Sequence, residues 1–172
     1  MELKTLDLET FAEHLRARVA QGRPTSAEPE SVETRLEQHG QSFHLGFVPE
    51  GKLLIVARAR PRHKLLVCAE SHLTQHLDQL GISGEIKLGR PEFDQRYVLK
   101  NATVEEARAT LDDEFVDTLR GLEPWMEFEM TAREYRLLKV VDAEYSAERL
   151  NSDLKRMAKL VAVSCLPPEE DE

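Results

Sequence analysis

Cysteine is nearly absent: Cys68 and Cys165 are the two in 172 residues, far apart and without a CxxC spacing. Two thiols make no disulfide framework. Both lie in apolar runs, so they read as small buried hydrophobes in a reducing compartment. Long hydrophobic runs are absent too; none approaches the ~20 residues that a membrane span needs. Met1–Glu9 carries no basic stretch followed by an apolar core, the mark of a signal peptide. The expectation is a soluble, cytoplasmic protein with no membrane partner. Positive charge is in deficit, with 23 Lys and Arg against 32 Asp and Glu, net -9. A nucleic-acid binder needs a basic surface to replace counterions, so no nucleic-acid partner is expected.

Catalytic signatures are also missing. There is no GxSxG, no Walker A and no GxGxxG after a strand. The acids Glu105, Glu106, Asp112, Asp113, Glu114 and Asp117 lack the glycine and final glutamate of an EF-hand. They fit the favourable placement of acids at helix N-termini instead. No cofactor is expected, and the balance leans away from an enzyme.

What is present is ordinary for a globular chain: 41% hydrophobic and 32% charged residues. Leu8, Phe11, Leu15 and Val19 fall on one stripe and predict a helix over residues 6–20. Residues 22–31, with two prolines, form the most linker-like segment. The first helix then packs back on the core or onto a second subunit. From Val32 the period changes to two. Phe43, Leu45 and Phe47 alternate with polar residues, 53–57 reads as a central strand, and 65–69 as another, joined in an antiparallel meander.

Ser71 begins a short helix lined by Leu73, Leu77 and Leu80, and Ile86 and Leu88 suggest a short strand. Residues 93–100 read as a strand, and Thr103 with Glu106 as a capping box. Helices follow near 104–111 and 113–121. Met126, Phe128 and Met130 alternate with glutamates as a half-exposed strand, and 135–141 reads as an interior strand. A helix over 144–163 carries the stripe Leu150, Leu154, Met157 and Val161. The acidic tail 164–172 is expected to be disordered. The domain reading is therefore a helix (1–21), a linker (22–31), one domain (32–163) and a tail. The class is α+β: an antiparallel or mixed sheet with helices mainly on one face, and a long C-terminal amphipathic helix.

The stretch Gly89-Arg90-Pro91-Glu92-Phe93-Asp94-Gln95-Arg96-Tyr97-Val98 organises the middle of the chain. With the element order around it, it resembles a group of bacterial domains that carry a Gly-[Asp/Arg]-Pro-x-Phe-Asp-x-x-[Phe/Tyr]-Val motif and have no assigned activity. The likeness covers about residues 40–140, with Arg90 where an acid is usual. It implies a fold unit and no mechanism. Within the motif Gly89, Pro91, Phe93, Asp94 and Tyr97 are read as structural, Asp94 accepting turn amides and pairing with Arg96.

Two other clusters invite a ligand. Arg58, Arg60, Arg62, His63 and Lys64 form the sharpest charge contrast in an acidic chain. They suit a phosphate, a nucleotide or an acidic peptide, or simply solvate a loop. His72 and His76 have the i, i+4 spacing that chelates zinc, without the HExxH glutamate or an evident third ligand. No metal site is expected there. The resulting expectation is a non-enzymatic protein-binding or scaffolding module, chaperone-like or self-associating. Its candidate faces are the 126–130 strand and the last helix. A small-anion or nucleotide sensor at 58–64 is the alternative, and an enzyme with a dispersed site the second.

Overall fold

The computed structural model describes residues 7–21, 33–48, 51–69 and 86–167. Helix α1 (Leu8–Gln21) follows its apolar stripe, and Phe11 and Leu15 are fully buried. Three antiparallel strands come next: β1 (Glu33–Gln38), β2 (Gln41–Val48) and β3 (Lys52–Ala57). β1 buries only Thr34 and Leu36 between exposed Glu33, Arg35 and Glu37, too thin an alternation to stand out in the sequence. Its turn to β2 is His39-Gly40, with φ of 53° and 75°. Two residues at positive φ give a turn whose twist matches that of the paired strands.

The chain continues through β4 (Leu65–Ala69), α2 (Pro91–Arg96), β5 (Tyr97–Lys100), α3 (Val104–Thr110), α4 (Asp113–Arg120), β6 (Trp125–Met130), β7 (Tyr135–Val140) and α5 (Ala147–Ser164). The strands form one sheet in the order β1-β2-β3-β7-β6-β4-β5, antiparallel at every step. The fold is α+β. Inward residues such as Leu45, Ile55, Phe128 and Leu137 share the main core with Phe115 and Leu119 of α4 and Leu150, Leu154, Met157 and Val161 of α5. Cys68 and Val98, backed by Leu66, form a separate small cluster. No helix among the described residues is long and apolar enough to cross a membrane.

Three expectations need correcting. The meander ends at β3, because the β6–β7 hairpin inserts between β3 and β4. Its tight turn is closed by the Thr131 hydroxyl, which accepts from the amides of Arg133 and Glu134, both at 3.2 Å. Residues 58–64 are therefore not a hairpin but a crossover past two strands. Three strand spacings are about 14 Å, a gap that seven residues span with slack.

The strand expected over 93–100 begins only at Tyr97. Before it, Pro91 opens the six-residue helix α2. A proline at the first helical position has its φ already set, and its missing N–H removes no helical bond. Phe93 and Tyr97, two strand steps apart on paper, instead stand one helical turn apart with ring centroids at 4.9 Å.

The 126–130 strand is not an open apolar face. Phe128 is fully buried and Met130 nearly so, while a bulge between Trp125 and Glu127 turns Trp125 into the core. The apolar stripe of α5 is likewise consumed by the core.

Elsewhere the differences are small. Ile86 makes a single bridge to Leu99. The last helix starts at Ala147 and extends to Ser164, beyond which Cys165 and Leu166 remain tied to the crossover. The helix expected to carry His72 and His76, the 22–31 linker and the end of the tail lie outside the described residues.

Candidate binding cleft

The chain enters α2 through a lock built by one carboxylate. Asp94 Oδ1 accepts from the Leu88 amide at 2.9 Å, and Oδ2 accepts from the amides of Gly89 at 2.9 Å and Arg90 at 3.0 Å. Gly89 sits at φ 79°, a conformation that L side chains rarely adopt. The expected turn lock is thus present. The expected partner differs: Arg96 reaches Glu123 at 3.7 Å, not Asp94.

This lock sets α2 beside α4 and leaves a cleft of about 390 Å³ between them. Its floor is Phe93, Tyr97 and Val116, all buried. Tyr97 is fixed from below by Trp125, whose ring stacks on it at 4.9 Å and 9°, and whose Nε1 donates to the Leu119 carbonyl at 3.0 Å. Tyr97 donates its hydroxyl to Glu123 Oε1. Burial and that carboxylate push the Tyr97 phenol far above its ordinary range, so it remains a proton donor.

Three arginines, Arg90, Arg96 and Arg120, also line the cleft. Arg90 meets Asp113 at 3.1 Å and Arg120 meets Glu92 at 3.7 Å. The pairs are lopsided. The arginine side chains are 39% and 38% exposed, whereas Asp113 is 94% and Glu92 88% exposed. At 3.7 Å the Arg120–Glu92 contact is longer than a hydrogen bond. Exposed pairs of this kind are worth little and exchange readily.

The other sequence-predicted residues are placed apart from the cleft. Arg58, Arg60 and Lys64 are exposed on the crossover, and His63 is half-buried. Arg62 straps the crossover to the end of α5. Its amide donates to the Ser164 carbonyl at 3.0 Å and its Nε to the Cys165 carbonyl at 3.2 Å, while the Leu166 amide donates to the Arg60 carbonyl at 2.7 Å. A cation at a helix C-terminus also meets the negative end of the dipole. Of the remaining histidines, His39 contacts Asn151 Oδ1 at 2.9 Å and His44 meets Glu33 at 3.6 Å. Among the described residues no three His, Cys, Asp or Glu side chains gather as a metal site would require. Burial pushes the Cys68 thiol up to about 11.

One polar cluster escaped the sequence reading. Lys139, in the inward register of β7, is buried with its Nζ 3.3 Å from Asp153 Oδ2 of α5. It also donates to the Leu122 carbonyl, and Tyr145 donates to the same Asp153 oxygen. Burial lowers the Lys139 pKa against the pull of Asp153, and burial with Asp153 raises that of Tyr145. The Arg149 guanidinium lies 5.4 Å from the Tyr145 ring centre. With both charges sealed from solvent, this cluster ties α5 to the sheet. The signal was Lys139 at the third inward position of a Tyr135-x-Leu137-x-Lys139 alternation.

No family model matches the chain, and no curated protein matches it. Among solved structures, the crystal structure of the mycobacterial trehalose monomycolate transport factor A, TtfA, is similar. It shares 9% identity over 95% of this chain and 98% of that one, with a TM-score of 0.54. At that identity the likeness is one of fold.

Proposed function

We propose that this chain is a non-catalytic accessory domain that binds a protein partner through the cleft between α2 and α4. One observation carries the reading: the part-buried side chains of Arg90 and Arg120 line a rigid aromatic floor, and the acids paired with them, Asp113 and Glu92, are nearly free in solvent. Arginine and aromatic side chains are the groups on which protein interfaces concentrate their binding energy. The floor is held by the Asp94 lock and the Tyr97–Trp125 stack, so little ordering remains to oppose binding. The fold shared with TtfA, a transport factor, supports an accessory role by analogy. The motif that resembles the bacterial domain group supplies the lock and two of the three floor residues, which makes the cleft the feature that such domains would share. The cytoplasm, the place of action expected from composition, belongs to the same proposal.

A photo-cross-linking side chain placed at Asp117, on the rim of the cleft, tests this in cells that express the protein naturally. A discrete cross-linked product is expected, and the Arg90→Glu, Arg120→Glu double variant should lose it. Equal products from Asp117 and from Arg133, an exposed position in the β6–β7 turn, would overturn the proposal.

A further inference from the structure

We propose that the cleft takes an acidic–apolar segment of the partner. A side-chain carboxylate would replace Asp113 or Glu92 on its guanidinium, while an adjacent apolar side chain fills the space above Phe93, Tyr97 and Val116. This rests on the partner-binding reading and names the chemistry that the site selects. Three arginines and three acids line the cavity, and the difference lies in exposure: the side chains of Arg90 and Arg120 are 39% and 38% exposed and those of their acids 94% and 88%.

The choice of a carboxylate follows from charge balance. Glu92, Asp113 and Asp117 also line the cleft, so a doubly charged phosphate would face three carboxylates as well as three guanidiniums. A carboxylate adds one negative charge where a phosphate adds about two, and the rim acid that it displaces can turn into the solvent that already surrounds it. The incoming group also gains over the resident one. Asp113 and Glu92 reach across from open solvent, whereas a segment seated on the floor meets the half-buried guanidiniums where water is partly excluded. The volume, about 390 Å³, suits one or two side chains and not a folded surface.

A basic segment is the competing occupant, since it would pair with the same exposed acids. The two make opposite predictions for one substitution. Asp113→Asn removes the carboxylate that competes for Arg90, so it should tighten an acidic ligand several-fold and weaken a basic one. A gain in affinity cannot come from damage to the fold.

The probes are a fluorescein-labelled Leu-Asp-Asp-Phe peptide, its Leu-Asn-Asn-Phe counterpart, a Leu-Lys-Lys-Phe peptide and inorganic phosphate. Anisotropy reads the peptides. The emission of Trp125, the single tryptophan, reads the floor through its stack on Tyr97. The acidic peptide should bind saturably and change Trp125 emission, and phosphate should not compete at equal concentration. Arg90→Gln with Arg120→Gln should weaken binding about tenfold or more, since charge-assisted contacts are lost. Asp113→Asn should strengthen it. Equal binding of the Asn peptide, preference for the Lys peptide, or weakening by Asp113→Asn would each overturn the inference. If these occur while the Asp117 cross-link still depends on Arg90 and Arg120, the chemistry is wrong and the partner-binding reading stands. If the acidic peptide binds as described but no cross-link forms in cells, the chemistry stands and the partner reading falls.

Discussion

All three tyrosines are buried, and each phenol is raised in pKa with burial as the first cause. Tyr135 is pushed from the ordinary 10 up to about 12, with Tyr97 and Tyr145 further. The sign follows from linkage. Above pH 10 the unfolded chain releases phenolic protons that the folded chain keeps, so stability is full below that value and falls as the pH rises toward 12. Native protein should therefore show little tyrosinate absorbance until it unfolds, and the two transitions should coincide. Smooth ionisation of all three at the ordinary value in folded protein would contradict the burial assigned to them.

Lys139 and Asp153 make the second residue-scale prediction. Lys139→Met leaves the Asp153 carboxylate buried with Tyr145 alone, at a cost of about 3–5 kcal/mol in urea unfolding. Lys139→Met with Asp153→Leu should recover most of that loss, because no lone charge remains. If the double variant were as unstable as the single one, the pair would be stabilising in its own right.

At the scale of elements, α2 depends on Asp94. Asp94→Ala frees three amides and should cost about 2 kcal/mol, with Asp94→Asn keeping part of it. Trp125 emission should report the loosened floor in the same melts.

What could be read from sequence divides along the same line. The Thr103–Glu106 capping box and the Asp94 lock close within six residues, and both are visible there. The α1 and α5 stripes are visible because one period persists over several turns. Phe93 and Tyr97 misled because a spacing of four fits both two strand steps and one helical turn. β1 was hidden by its charged outer face. The crossover was read as a hairpin because nothing local says that β6 and β7 will insert between β3 and β4.

The whole molecule is an antiparallel sheet whose core uses nearly every apolar stripe, leaving the α2–α4 cleft as the built concavity that the account rests on. Beyond the Asp94 lock, its assembly could not be read locally: Arg90 and Arg96 come from one segment and Arg120 from another, brought together only when α2 docks beside α4. The TtfA likeness, across 95% of this chain and 98% of that one, is one of fold. The most direct test of the account is the cross-link from Asp117 in native cells. A discrete product that disappears with Arg90→Glu and Arg120→Glu is predicted. A product that survives those changes, or that forms equally from Arg133, would contradict it.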